Sequence, residues 1–76
     1  MRKLEVGVYR HFKGSEYQVL CKALHTENGE ELVIYRNACK DTDDEIYARP
    51  LNMFLSEVDR DKYPGVKQKY RFEKID

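Results

Sequence analysis

The chain has 76 residues, of which 41% are hydrophobic and 37% charged, and its 14 Lys and Arg residues balance 14 Asp and Glu residues. A chain of this length forms one domain, here residues 1–76, and it buries only about 60–65% of its unfolded surface. The sequence has no apolar run near the ~18 residues of a membrane span and opens with no signal peptide, so we expect a cytoplasmic protein that does not contact membranes.

The charges are distributed unevenly. Residues 1–26 and residues 62–76 each hold five basic and two acidic residues, whereas residues 27–61 hold four basic and ten acidic ones. Zero net charge argues against a dedicated DNA-binding protein, which is usually strongly basic. If the strands at the two ends are neighbours, their charges form a positive face, so nucleic-acid binding through the basic N- and C-terminal strands is an alternative function. The competing interpretation is that the charges only keep a small protein soluble.

Short segments rich in Val, Ile, Tyr and Phe alternate with turn signals such as Lys13-Gly14-Ser15, Asn28-Gly29 and Pro64-Gly65. The predicted strands, in chain order, are Val6–Phe12, Tyr17–Leu24, Glu31–Cys39, Ile46–Arg49 and Lys69–Glu73. About five short antiparallel strands with tight turns predict an all-β class, a small barrel or roll.

One helical turn is predicted over residues 51–58. Pro50 favours helix entry, and the apolar residues that follow fall at the i, i+3, i+4 and i+7 positions of a helix face. These are Leu51, Phe54, Leu55 and Val58. We expect this segment to plug one end of the barrel, with Met53 its most exposed apolar member; a partner-binding patch is the alternative.

The hairpin at Asn28-Gly29 bears on the two cysteines. A two-residue turn places Cys21 opposite Arg36, and a three-residue turn places it opposite Tyr35. In both registers Cys39 lies three or four residues out of step with Cys21, roughly 10 Å or more, whereas a disulfide needs Cα atoms within about 7 Å. We therefore predict free thiols.

Several segments together resemble one known family, the small, mainly bacterial proteins called domain of unknown function 1653. They are Tyr9–Gly14, Tyr17–Leu20, Ala23–Arg36, Arg49–Phe54 and Tyr70–Ile75. The resemblance covers nearly the whole chain and implies an SH3-like β-barrel. It brings no established activity, substrate or cofactor.

Aromatic residues occur repeatedly beside arginines, and adjacent residues of a strand face opposite sides. One interpretation is that the rings fill the thin core while the arginine stems cover it. The other is a non-catalytic binding module, in which exposed rings and arginine forks hold a carboxylate, a phosphate or a peptide. For this second interpretation the candidate ligand-binding residues are Arg10, Tyr35, Arg36, Tyr47, Arg49 and Arg71.

Catalysis and metal binding have weaker support. His11 and His25 are the only histidines, and nothing in their spacing brings three or four metal ligands together. Acidic neighbours make Cys39 a poor nucleophile, and the acidic segment 41–45 lacks the spacing of a calcium loop. We expect no metal, no cofactor and no enzymatic activity, with a small enzyme using His11 or His25 as the third possibility. We expect the partner to be an unknown protein, peptide or anionic ligand, and we expect the chain to be a monomer or weak homodimer.

Overall fold

The computed structural model of the chain describes residues 3–38 and 45–75. Over these residues it contains five strands and one short helix, and the strands form a single antiparallel sheet in the order β4-β3-β2-β1-β5. The elements are β1 Gly7–His11, β2 Glu16–Leu24, β3 Glu31–Asn37, β4 Tyr47–Pro50, α1 Leu51–Phe54 and β5 Phe72–Lys74. The predicted all-β class with about five strands and one short helical element is confirmed.

The sheet curls strongly. Strands β4 and β5 lie at its opposite edges, four strand spacings apart, which would be about 19 Å in a flat sheet. Nevertheless the Arg49 guanidinium of β4 lies 5.4 Å from the ring centroid of Phe72 in β5. The sheet is therefore rolled around its concave face, as the expectation of a barrel or roll requires. The closer likeness to SH3 barrels stays a prediction.

The core fills this concave face. In β1, β2 and β3 the buried residues Tyr9, Val19 and Tyr35 point to the same side, because the register pairs Tyr9 with Tyr17 and Val19 with Tyr35. The Phe54 ring of α1 stacks on Phe72 with centroids 4.1 Å apart and planes 9° from parallel. Both rings are almost completely buried. We call this side the core face and the opposite side the outer face.

Helix α1 is shorter than the predicted 51–58, because it ends at Phe54. The chain then becomes extended: the Arg71 N–H donates to the Ser56 carbonyl at 3.0 Å, and the Val58 N–H donates to the Lys69 carbonyl at 2.9 Å. Pairing with residues 69–71 supplies the backbone hydrogen bonds that a longer helix would have supplied. The predicted apolar positions are confirmed at Phe54 and Val58, which are both buried.

The register of the β2–β3 hairpin differs from both predictions, because Cys21 lies opposite Ile34. The chain reverses over a longer loop, closed by a 2.8 Å bond from the His25 N–H to the Glu30 carbonyl. Within it the Gly29 N–H donates to the His25 carbonyl, and Gly29 has φ 72°. A bulge between Val19 and Cys21 then shifts the pairing further along.

Some predictions fall on residues that are not described. Cys39 and the acidic residues 41–44 lie outside the described residues. Cys21 is a free, exposed cysteine, so the predicted free thiol is confirmed at this position. Within residues 3–38 and 45–75, no helix has the length and apolar character needed to cross a membrane.

Candidate anion-binding site

The six predicted ligand-binding residues lie on two faces of the sheet. In β3 and β4, Tyr35 is opposite Tyr47, and Val33 is opposite Arg49, so these side chains belong to the core face. In β1 and β3, Arg10 is opposite Glu16, and Arg36 is opposite Gln18, which places them on the outer face. The six residues therefore do not converge on one surface.

On the core face, Arg49 is held in position from two sides. Its Nε donates a 3.2 Å hydrogen bond to the hydroxyl of Tyr35, a buried core residue. Its guanidinium carbon lies 5.4 Å from the centroid of Phe72, a distance at which a cation interacts favourably with a ring. The residue is only half-buried, so the remaining guanidinium N–H groups are left for another acceptor.

Arg71 immediately precedes Phe72 in the chain, and its charge, like that of Arg49, lowers the pKa of His11. Its Nε is buried and has no hydrogen-bond partner within the described part of the chain. A buried donor without an acceptor costs about 1–3 kcal/mol, and more when the group is charged, so such atoms are rare in native folds. This nitrogen is therefore a place where an acceptor from outside the chain would be stabilising.

His11 is the last residue of β1. Burial lowers the pKa of His11 below its ordinary value of 6.5, and the charges of Arg49, Lys13 and Arg71 lower this pKa further. Its Nδ1 accepts the backbone N–H of Lys13 at 3.1 Å, so in the neutral ring the proton sits on Nε2. His11 is thus a neutral hydrogen-bond donor on which the charges of three cations act. We call Lys13, Arg49 and Arg71 the cationic cluster.

The cationic cluster has no carboxylate partner in residues 3–38 and 45–75. Ion pairs join Arg10 to Glu16 at 3.3 Å and Lys22 to Glu31 at 3.1 Å, and neither pair includes a member of the cluster. Carboxylates are the usual partners of clustered cations in a fold. The charges of described residues that act on His11 are thus those of cations, which favours a negatively charged ligand.

Half-buried aromatic rings border the cationic cluster. In one pair, the Tyr17 and Tyr47 rings lie 6.3 Å apart at an interplanar angle of 84°, and both contact the Tyr35 ring at 5.5 Å. In a second pair, the Phe12 and Tyr63 rings lie 4.9 Å apart. The surface around the cations is therefore largely aromatic.

The two ring pairs have different neighbours. The Lys13 ammonium lies 5.9 Å from the Phe12 centroid and 5.5 Å from the Tyr63 centroid, so it covers that pair. The Tyr47 hydroxyl donates to the Glu45 carboxylate at 2.8 Å, and this hydrogen bond raises the pKa of Tyr47 above 10.0. Tyr47 therefore stays a neutral ring at physiological pH.

The outer-face arginines have different surroundings. Arg10 is paired with Glu16 and also lies opposite Glu73 on β5. The N- and C-terminal strands are neighbours, because β1 pairs with β5. At that place, however, Arg10 faces the carboxylates of Glu16 and Glu73. The outer face is therefore less positive than the excess of basic residues at both ends suggested.

The two histidines do not form a shared site. His11 contacts Tyr17 near the start of β2, and His25 follows the last residue of β2, roughly 20 Å or more away. No group of three or more His, Cys, Asp or Glu side chains able to hold a metal occurs among the described residues.

Reasoning from the sequence missed His11, Lys13 and Tyr17 as members of this surface. Tyr17 could have been assigned to the core face, because the pairing of the first two strands places it opposite Tyr9. No local sequence pattern marks Lys13 or His11, because their role depends on Arg49 and Arg71, which are distant in the chain.

The comparisons with known proteins agree with the fold. The family model described as protein of unknown function DUF1653 matches residues 7–74. The chain belongs to the DUF1653 family. The crystal structure of a DUF1653 protein from Bordetella bronchiseptica is similar, with a TM-score of 0.78 and 29% identity, over 99% of this chain and 91% of that one. No curated protein matches this DUF1653 chain.

Proposed function

We propose that this DUF1653 protein is a non-catalytic binding module, and that its ligand carries an anionic group bound by Arg49 and Arg71. The observation that carries the proposal is the buried Arg71 Nε, which lacks a hydrogen-bond partner within the described chain. A carboxylate or phosphate oxygen would supply that acceptor, and bonds between guanidinium and anion are among the stronger hydrogen bonds.

The position of Arg49 supports the same proposal. An arginine held by Tyr35 and Phe72 loses little side-chain entropy when it binds a ligand, because most of its freedom is already lost. His11 adds an Nε2–H donor beside the arginines. The site thus combines fixed positive charge with directed donors, which is the chemistry that recognises an anion.

The proposal is tested by adding inorganic phosphate, and separately acetate, to the ¹⁵N-labelled protein while amide shifts are recorded. We expect saturable shifts concentrated at His11, Lys13, Arg49 and Arg71. The variants Arg49→Gln and Arg71→Gln should weaken binding by about tenfold or more, which corresponds to one lost charge-assisted bond.

The matched control is Arg10→Gln, which removes an arginine from the outer face. It should leave phosphate affinity unchanged. Shifts that are scattered over the protein, equal losses for all three arginine variants, or no binding at tens of millimolar phosphate would each refute the proposal.

Nucleic-acid binding through the basic terminal strands is the second candidate, and the pairing of β1 with β5 favours it. Its weakness is that Arg10 faces Glu16 and Glu73. Such binding would fall steeply with salt, because bound phosphates release counterions. If the protein does not retain single-stranded RNA or DNA at ~50 mM salt, or if Arg10→Gln does not weaken binding, this candidate fails.

The remaining parts of the proposal concern activity and surroundings. We propose that the ligand is bound without being converted, since His11 and His25 lie too far apart to act together. We also propose a bacterial, cytoplasmic protein acting as a monomer or weak homodimer. A reducing compartment would keep the exposed Cys21 as a thiol.

A further inference from the structure

We infer that the ligand is a nucleotide, whose phosphate binds the cationic cluster and whose base stacks on the Tyr17 and Tyr47 rings. This inference rests on the proposed function and specifies its ligand. A small inorganic anion would leave two features of this surface unused. One is the excess of cations over a single negative charge, and the other is the pair of Tyr17 and Tyr47 rings.

The charge favours a phosphate over a carboxylate. The charges of Lys13, Arg49 and Arg71 all act on His11, and none of these cations has a carboxylate partner in the described segments. A carboxylate brings one negative charge, whereas a phosphate monoester brings between one and a half and two, with three acceptor oxygens, at ~pH 7. A phosphate can therefore balance more of this positive charge than a carboxylate can, and it offers more acceptors to the guanidinium groups.

The rings favour a flat group next to that phosphate. Tyr17 and Tyr47 are half-buried, and their rings lie edge to face at 84° with centroids 6.3 Å apart, which forms a corner. A base stacked on one ring meets the edge of the other, which is the preferred geometry of aromatic groups. The Phe12 and Tyr63 rings do not offer such a corner, because the Lys13 ammonium lies over both.

The two halves of the site are joined through one residue. The Tyr35 ring contacts both Tyr17 and Tyr47, and the Tyr35 hydroxyl accepts the hydrogen bond from Arg49. The tyrosine corner and the cationic cluster are therefore adjacent and fixed relative to each other. A ligand in which a ring is joined to a phosphate by a short linker, as in a nucleotide, matches this adjacency.

The test compares five probes by amide and aromatic shift titration of the wild-type protein. They are adenosine 5′-monophosphate, adenosine, inorganic phosphate, O-phosphotyrosine and a five-nucleotide single-stranded RNA. We expect the monophosphate to bind about 5- to 100-fold more tightly than inorganic phosphate, which is the contribution of one stacked base. The ring protons of Tyr17 and Tyr47 should shift with the monophosphate and not with inorganic phosphate.

The variant Tyr47→Leu should reduce the affinity for the monophosphate to that for inorganic phosphate, without changing the latter. Its matched control is Ile46→Ala, an exposed neighbour whose substitution should change neither affinity. Tighter binding of the five-nucleotide RNA than of the monophosphate would identify a strand as the source of the nucleotide, and equal binding would identify the free nucleotide.

Two results would overturn the inference in different ways. Equal affinities for inorganic phosphate and the monophosphate, or a preference for O-phosphotyrosine, would refute the nucleotide and leave the anion-binding function intact. Binding of none of the phosphorylated probes would refute both.

Discussion

The Arg49 guanidinium lies 5.4 Å from the ring centroid of Phe72, although the two residues belong to strands at opposite edges of the sheet. This contact exists only because the sheet is rolled. The Phe72 ring also stacks on Phe54, so Phe72 is part of the core and at the same time supports the site residue Arg49. Stability of the core and geometry of the site are therefore coupled.

The first prediction concerns the core beneath that contact. Phe54→Ala removes a fully buried ring that stacks on Phe72 and meets Tyr9 edge-on at 5.3 Å. Loss of a buried Phe costs about 3–5 kcal/mol, a large part of the stability of a small domain. Urea denaturation measures the change. The neighbouring Met53→Ala is the control, because Met53 is exposed; a loss equal to that of Phe54→Ala would contradict the assigned core.

The second prediction separates stability from binding by removing one hydroxyl at a time. Tyr35→Phe deletes the acceptor of the Arg49 Nε, and Tyr9→Phe deletes a hydroxyl that donates to the Glu5 carbonyl at 2.7 Å. Each loss should lower the free energy of unfolding by about 1 kcal/mol. Only Tyr35→Phe should also weaken phosphate binding, because only it frees Arg49. Denaturation and phosphate titration of both variants measure the two effects. Equal phosphate affinities for the two variants would count against the positioning of Arg49 by Tyr35.

The third prediction follows from the lowered pKa of His11. In the unfolded chain His11 takes up a proton near pH 6.5, whereas in the folded chain it stays neutral to lower pH, so the unfolded state binds more protons between these two values. The free energy of unfolding should therefore fall as pH falls below ~6.5, and level off below the pKa of the folded state.

The variant His11→Asn isolates this effect, since the Asn side chain keeps an acceptor for the Lys13 N–H and cannot be protonated in this range. Denaturation at a series of pH values between 5 and 8 measures both proteins. The decline below pH ~6.5 should be smaller in the variant. The same decline in both proteins would show that His11 does not carry it.

The fourth prediction concerns the loop that sets the register of the β2–β3 hairpin. Gly29 has φ 72°, in the left-handed region, so Gly29→Ala should destabilise the fold by about 1 kcal/mol even though a Cβ there meets no atom within 4 Å. Gly65→Ala is the matched control, because Gly65 has no positive φ and equally open surroundings. Thermal denaturation of the two variants measures the difference; equal melting temperatures would rule out backbone strain at Gly29.

Much of the fold was accessible from local patterns. Segments rich in Val, Ile, Tyr and Phe between turn signals predicted five strands that overlap the five observed ones, although the last is Phe72–Lys74 and not Lys69–Glu73, and Pro50 marked the start of the helix. The errors arose where a distant segment supplied the hydrogen bonds. Residues 56–58 pair with residues 69–71 instead of extending α1, and the longer loop and the bulge in β2 moved the hairpin out of both predicted registers.

The sequence by itself determined which residues have the chemistry for binding, the arginines and tyrosines, and that neighbours such as Tyr35 and Arg36 must face opposite sides. Only the tertiary structure decided which of them meet. Arg49 meets Phe72 on the core face and Arg71 acts electrostatically on His11, while Arg10 and Arg36 lie on the outer face. The reason is that proximity across a sheet depends on its curvature and on the pairing of its strands. Both are set by the packing of the whole core, and the spacing of residues along the chain does not contain them.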